Sequence, residues 1–281
     1  MSGAIATPHI LATRAGKEAF DAGGNAIDAA LAAAATLTVV FPHQCALGGD
    51  LFALINRPDG KTFSVNGSGA LPAAVDAEEY RSRFSQIPES GPYSITVPGL
   101  LCAWERIAEL GGILNFSEIF SPAIRAAADG VKVSPSLAAG IQWRRKILLQ
   151  DKGMAELFLP KGKPLIEGTL FVQPALQVTL ETIAAEGVSS FYKGSVGEKL
   201  VGALQSQGSP LTMDDLAAHQ TEINDPLSFD YGDLSILTSP PNSQGFVLLE
   251  SIAGLAELGI ELGASINSAP YKLHAAMMAA E

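Results

Sequence analysis

Four histidines, His9, His43, His219 and His274, carry the widest chemical range in this chain, since imidazole serves as metal ligand, proton carrier and general base. Their spacing builds no HxH or HExxH pattern, and neither Cys45 nor Cys102 lies close enough in sequence to complete a zinc set. No metal site is expected. There is no GxxxxGK[ST] loop and no GxGxxG after a strand, so nucleotide binding has no support. The serines of Gly67-Ser68-Gly69 and Asn242-Ser243-Gln244 lie in loops without a GxSxG elbow. The adjacent pairs Asp214-Asp215 and Glu78-Glu79 point in different directions, as solvated surface residues do. No complete catalytic set is legible, and no catalytic residue is assigned.

The elements that would position a site are clearer. From Asn25 to Val40 the residues are mostly Ala and other small apolar types, with Ile27, Leu31, Ala34 and Thr38 at helical spacing. Asn25 suits an N-cap, Pro42 stops the helix, and Gly48-Gly49 release the chain into the run Leu51 to Ile55. The apolar part, Ala29 to Phe41, is shorter than the about 20 residues of a membrane span. A first helix, Ala12 to Ala22, precedes it. Leu51 to Asn56 and Lys61 to Asn66 flank Arg57-Pro58-Asp59-Gly60 and read as a β-hairpin, and Leu227 to Tyr231 with Leu234 to Thr238 as a second, turning at Gly232.

Between the hairpins the pattern is helical. Helices are expected from Pro98 to Gly111, Ser117 to Asp129, Ser134 to Gln150, Gln173 to Ala185, Ser189 to Gln205 and Thr212 to His219, the last opened by a Thr212/Asp215 capping box. Glu79 to Pro92 reads as a surface loop and Pro164 to Val172 as an extended segment. A further helix is expected from Phe246 to Leu258 and a last one from Ser268, whose run stops at Glu281 without a closing residue, as in a chain cut short. No repeat or linker divides the sequence, so residues 1–281 read as a single domain.

Composition narrows the partners. The 281 residues include 47% hydrophobic and 17% charged, which excludes a disordered chain. A net charge of −11 argues against a phosphate-backbone partner, and Trp143 with Arg144, Arg145 and Lys146 reads as a solvated helix face. The N-terminus shows no basic segment followed by an apolar core, so no signal peptide is expected and the cytoplasm is the expected compartment, with export of a leader-trimmed form as the alternative. Neither a nucleic-acid nor a membrane partner is expected.

The opening Gly23-Gly24-Asn25-Ala26-Ile27-Asp28-Ala29-Ala30, followed by Pro42-His43-Gln44 and Gly48-Gly49, resembles the γ-glutamyltranspeptidase family of N-terminal-nucleophile hydrolases. The resemblance continues in order through Val97-Pro98-Gly99, Ser121-Pro122-Ala123, Phe191-Tyr192-Lys193-Gly194, Leu211-Thr212 with Asp214-Asp215-Leu216, and Pro240-Pro241-Asn242-Ser243-Gln244-Gly245. It implies an α+β fold, a four-layer αββα sandwich, of which this chain is the large-subunit portion. It also implies a self-cleaving precursor whose small catalytic subunit begins with a Thr that attacks a γ-glutamyl amide, its own α-amine acting as base and no cofactor taking part.

Two departures from the family pattern matter. No Thr-Thr-His-like segment occurs, so the resembled nucleophile is not in this chain. The substrate loop is Asn66, Gly67, Ser68, Gly69 and Ala70, and the resemblance places an Arg for the glutamate carboxylate at Ala70 in one family pattern and at Ser68 in another. Ala cannot replace a charge-assisted bidentate clamp. The expected activity is γ-glutamyl hydrolysis or transfer by the completed enzyme, with a small-molecule amide substrate. The alternatives are a cephalosporin-acylase-like amidase on the same fold and a non-catalytic truncated homologue.

Overall fold

A computed structural model describes residues 3–257 and residue 278. In chain order its main elements are α1 (Ile10–Asp21), α2 (Ala26–Val40), β1 (Phe52–Asn56), β2 (Thr62–Asn66), α3 (Ala77–Arg83), α4 (Leu100–Glu109) and α5 (Phe116–Asp129). There follow β3 (Val131–Lys132), α6 (Pro135–Trp143), α7 (Arg145–Leu148), α8 (Lys152–Phe158), β4 (Leu170–Phe171), α9 (Pro174–Glu186), α10 (Ser189–Tyr192) and α11 (Ser195–Ser206). The last are α12 (Met213–Ala218), β5 (Glu222–Asn224), β6 (Leu227–Tyr231), β7 (Leu234–Thr238) and α13 (Gly245–Glu257). The chain divides into two compact units, Met1–Asp50 with Ser68–Gln220 and Leu51–Gly67 with Thr221–Glu281. Neither is continuous in sequence, which is why no linker composition marks a boundary.

The first unit is helical and α2 is its hub. Alanines at 29, 32, 33 and 35, with Leu31, Val39 and Val40, are almost completely buried, and their small side chains let α1 and α5 pack closely against α2. The start of α2 is fixed by a capping box: the Asn25 side chain accepts from the Ile27 and Asp28 N–H groups, and Asp28 accepts from the Asn25 N–H at 2.7 Å. Asp28 is fully buried and does more than cap. Its other oxygen accepts from the backbone N–H groups of Ile113 and Leu114, each at 3.0 Å, and so ties the turn after α4 to the first turn of α2. Trp104 and Phe120 meet edge to face behind it, at 5.8 Å between ring centres, and both are buried.

The second unit holds an antiparallel sheet in the order β1-β2-β5 and the separate β6-β7 hairpin. Phe52 pairs with Asn66 and Asn56 with Thr62, and Gly60 in the connecting turn has φ of +83°, the left-handed region glycine tolerates. β6 pairs with β7 from Leu227 opposite Thr238 to Tyr231 opposite Leu234. Both hairpins lie where the alternation of residues and turn types places them.

Four expectations change. Residues Ala77–Arg83, which overlap the start of the expected surface loop, form α3, because Asp76 caps the Glu79 N–H and Glu79 pairs with Arg83 one turn on. The helix expected over residues 134–150 breaks at Arg144 into α6 and α7, and the one expected over 189–205 breaks at Lys193-Gly194 into α10 and α11. At the second break a Cβ on Gly194 would lie 3.1 Å from the Ser190 Cα, so the chain turns tightly there. In the segment 164–172 only Leu170–Phe171 is strand. Of the helix expected from Ser268, all but residue 278 lies outside the described residues.

Replacing Asp28 with Ala leaves the Asn25, Ile113 and Leu114 donors without this carboxylate. The expected cost is about 3 kcal/mol, read as a fall of roughly 6–12 °C in the thermal midpoint. An unchanged midpoint contradicts the role given to Asp28.

Candidate functional site

The five residues of the expected substrate loop fall in both units. Asn66 ends β2 in the second unit, opposite Glu222 of β5. Its side-chain amide donates to Asn242 Oδ1 at 3.1 Å and to Glu222 Oε2 at 3.4 Å. Two of the sequence motifs, the loop and Pro240 to Gly245, thus meet at this amide. Gly67 extends the ladder, donating to the Leu51 carbonyl at 2.8 Å.

Ser68, Gly69 and Ala70 belong to the first unit, where a backbone contact fixes them. A Cβ built on Gly69 would lie 1.5 Å from the Val97 carbonyl oxygen, a separation no side chain tolerates. Val97 N–H donates to the Ala70 carbonyl at 2.9 Å, closing the contact from the other side. Further along, the Ala73 N–H donates to Asp215 Oδ1 at 2.8 Å, while the other oxygen of Asp215 accepts from the Thr212 N–H and hydroxyl in the capping box of α12. Burial pushes the Asp215 carboxyl up, but these hydrogen bonds outweigh it and hold the carboxyl below its ordinary range. Asp215 is therefore an anchor of the loop's downstream end, whereas its adjacency to Asp214 reads as solvated surface.

The Val97-Pro98-Gly99 step is held in turn by Tyr192. The buried phenol donates to the Pro98 carbonyl at 2.8 Å and accepts from the Cys102 N–H at 3.0 Å, and burial raises its pKa well above the usual phenol value. His219, just past α12, stacks on the Tyr192 ring with 5.7 Å between centres and 16° between planes. Its Nε2 is buried and has no partner among the described residues. Asp50 completes the group: the backbone N–H groups of Gly69 and Gly99 and the His219 side chain lie close enough to favour its charged form. Partial burial raises the Asp50 carboxyl despite these three influences, and burial lowers His219 despite the carboxylate.

The structure thus brings Ser68 to Ala70 together with Val97 to Gly99, Asp50, Tyr192 and His219 within one unit. Asp50, Tyr192 and His219 are not recognisable in sequence as site residues, because 142 positions separate Tyr192 from Asp50 and no spacing rule spans such a distance. Tyr192 does lie in the Phe191 to Gly194 motif, the one signal that marks it. The thiols of Cys45 and Cys102 are free and half-buried. Among the described residues no group of three His, Cys, Asp or Glu side chains is placed to hold a metal ion. Chemically the segment offers backbone polar groups, the Ser68 hydroxyl and one exposed carboxylate, that of Asp50. Ala70 is exposed and uncharged.

A family model described as gamma-glutamyltranspeptidase matches residues 12–280. A glutathione hydrolase-like YwrD proenzyme from Bacillus subtilis strain 168 is 39% identical over 244 residues, covering 86% of this chain and 46% of that protein. Among solved structures, a γ-glutamyltranspeptidase from Helicobacter pylori superimposes with a TM-score of 0.90 at 28% identity, over 99% of this chain and 81% of that one. A cephalosporin acylase from Bacillus halodurans gives 0.89 at 31% identity, over 99% of this chain and 57% of that one. The chain spans about half the length of the curated relatives it matches.

His219 folds into a site that disfavours its charged form, so the unfolded chain binds more protons below the ordinary histidine pKa of 6.5. Its contribution is complete above pH 6.5 and is lost as the pH falls. His9 and His43 are shifted the same way. Urea unfolding at pH 7.5 and 5.5 will show lower stability at pH 5.5, and His219→Gln will shrink that difference. An equal difference in wild type and variant removes His219 from the account.

Proposed function

This chain belongs to the γ-glutamyltranspeptidase family and carries the large-subunit portion of its α+β, N-terminal-nucleophile hydrolase fold; on that premise, we propose that it forms the substrate-loop half of an amide hydrolase or acyltransferase. The observation that carries the reading is the clamp at Gly69. A backbone pressed against Val97 so closely that no side chain fits holds a loop in one geometry, as a substrate-positioning segment requires.

The reaction is proposed to run through a small subunit supplied by the same precursor, a reading supported by the proenzyme name of the Bacillus subtilis relative and by the length this chain spans. Its terminal Thr hydroxyl attacks the amide carbonyl while the α-amine takes the hydroxyl proton. The C–N bond then breaks and the leaving amine departs with that proton. Water or an acceptor amine attacks the resulting ester, releases the acyl product and restores the Thr. The residues of this chain position the acyl group. The substrate class proposed is a γ-glutamyl amide, in glutathione or a similar donor.

A second reading, an acylase acting on a different amide side chain, is favoured by Ala70, which leaves the exposed end of the loop without a cation, and by the likeness to the cephalosporin acylase. The mature product of the complete reading frame, assayed on γ-glutamyl and glutaryl 4-nitroanilides, separates the two. Release from the γ-glutamyl compound, falling about a hundredfold in Gly69→Ala through displacement of the loop, is the expected result. Release from the glutaryl compound alone selects the acylase, and release from neither leaves a non-catalytic homologue.

A further inference from the structure

α4 begins on a residue that has no side chain to cap it. Gly99 is its N-cap, and the amides of a first helical turn have no intrahelical partners. Two of them are served from far along the chain: Leu100 N–H donates to the Gly49 carbonyl at 3.0 Å, and Cys102 N–H donates to the Tyr192 hydroxyl at 3.0 Å. The same hydroxyl donates to the Pro98 carbonyl at 2.8 Å. One phenol oxygen therefore bridges the residue before the cap and the third residue of the helix.

That bridge fixes more than the helix. Pro98 follows Val97, whose carbonyl oxygen lies 1.5 Å from where a Cβ on Gly69 would fall and whose N–H donates to the Ala70 carbonyl at 2.9 Å. The other foot of the loop is held by Asp215 of α12 on the Ala73 N–H, and α10, which carries Tyr192, packs on α12. Tyr192 is itself buried, and His219 stacks on its ring, so the position of the hydroxyl is set by the packing of these helices.

We propose that Tyr192 is a positioning residue for the amide-cleaving reaction: its hydroxyl, serving as the cap that Gly99 lacks, holds the Val97 to Gly99 step against Gly69 and keeps residues 68–70 in the geometry that receives the acyl group. This rests on the reading of those residues as the substrate loop. Tyr192 acts through two backbone groups, and removing its hydroxyl deprives both of this partner while the ring still fills the space. If the loop then holds the receiving geometry about a tenth of the time, apparent affinity for the acyl donor falls about tenfold while the chemistry of the bound donor is unchanged.

The test compares the mature product of the complete reading frame with its Tyr192→Phe variant by two readouts. In hydrogen exchange, the Val97 and Cys102 amides of the wild type are expected to be protected, and the variant to exchange about tenfold faster or more over residues 97–102 with α2 unchanged. In kinetics on whichever of the γ-glutamyl and glutaryl 4-nitroanilides the wild type cleaves, KM is expected to rise about tenfold with kcat within about twofold. Asp28→Ala, which weakens the same unit through Asn25, Ile113 and Leu114, is the control and leaves the KM of the folded enzyme unchanged. Unprotected Val97 and Cys102 amides in the wild type overturn the proposal without any variant being needed. So does an unchanged KM in Tyr192→Phe, or a KM that rises equally in Asp28→Ala, which marks a general loss of stability. Cleavage of neither anilide by the wild type overturns the amidase reading and the positioning role with it, and the exchange data then show Tyr192 as a helix cap alone.

Discussion

The closest constraint in the structure is the approach of one backbone to another at Gly69. The hydrogen atom of a glycine fits where a Cβ would lie 1.5 Å from the Val97 carbonyl oxygen, and the Val97 N–H then reaches the Ala70 carbonyl. Everything else at the candidate site is arranged around this contact. Tyr192 holds the neighbouring Pro98 carbonyl, Asp215 pins Ala73 beyond, and the Asp50 carboxyl feels the N–H groups of Gly69 and Gly99. A loop built this way is rigid through main-chain atoms, so its shape depends little on which side chain it displays. That separation of shape from display leaves the exposed Ala70 side chain free of any part in holding the loop.

Much of the fold is legible in the sequence because local chemistry dictates it. Asn25 and Asp28 form the capping box at the start of α2, Thr212 and Asp215 form the one at α12, and Gly60 and Gly232 turn the two hairpins with positive φ. Failures of the reading also have local causes. α3 has no buried residue, so no apolar stripe announces it; its Asp76 cap, the Glu79–Arg83 pair and the contacts of Tyr80 and Arg83 with Tyr93 support it. β5 is three residues long and owes its existence to β2, more than 150 positions earlier. The break between α10 and α11 follows from the tight packing of Gly194 on Ser190, a contact that helical periodicity does not encode.

The candidate site divides in the same way. The expected substrate loop and the Pro240 to Gly245 motif come together where the Asn66 amide donates to Asn242. Asp50, His219 and Tyr192 were missed because their relation is one of distance and burial. The stacking of His219 on Tyr192 and the buried, unpartnered Nε2 arise only once α10 and α12 pack together. Asp215 shows the opposite error: its pairing with Asp214 reads as solvated surface, while its two oxygens are committed to Thr212 and Ala73.

The central claim is that this chain forms the loop-bearing half of a self-processing amidase. Intact-mass measurement of the purified product of the complete reading frame, with N-terminal sequencing of each fragment, tests it most directly. The account predicts two associated chains, the larger containing residues 12–280 and the smaller beginning with Thr. A single uncut chain, stable on prolonged incubation, would contradict it.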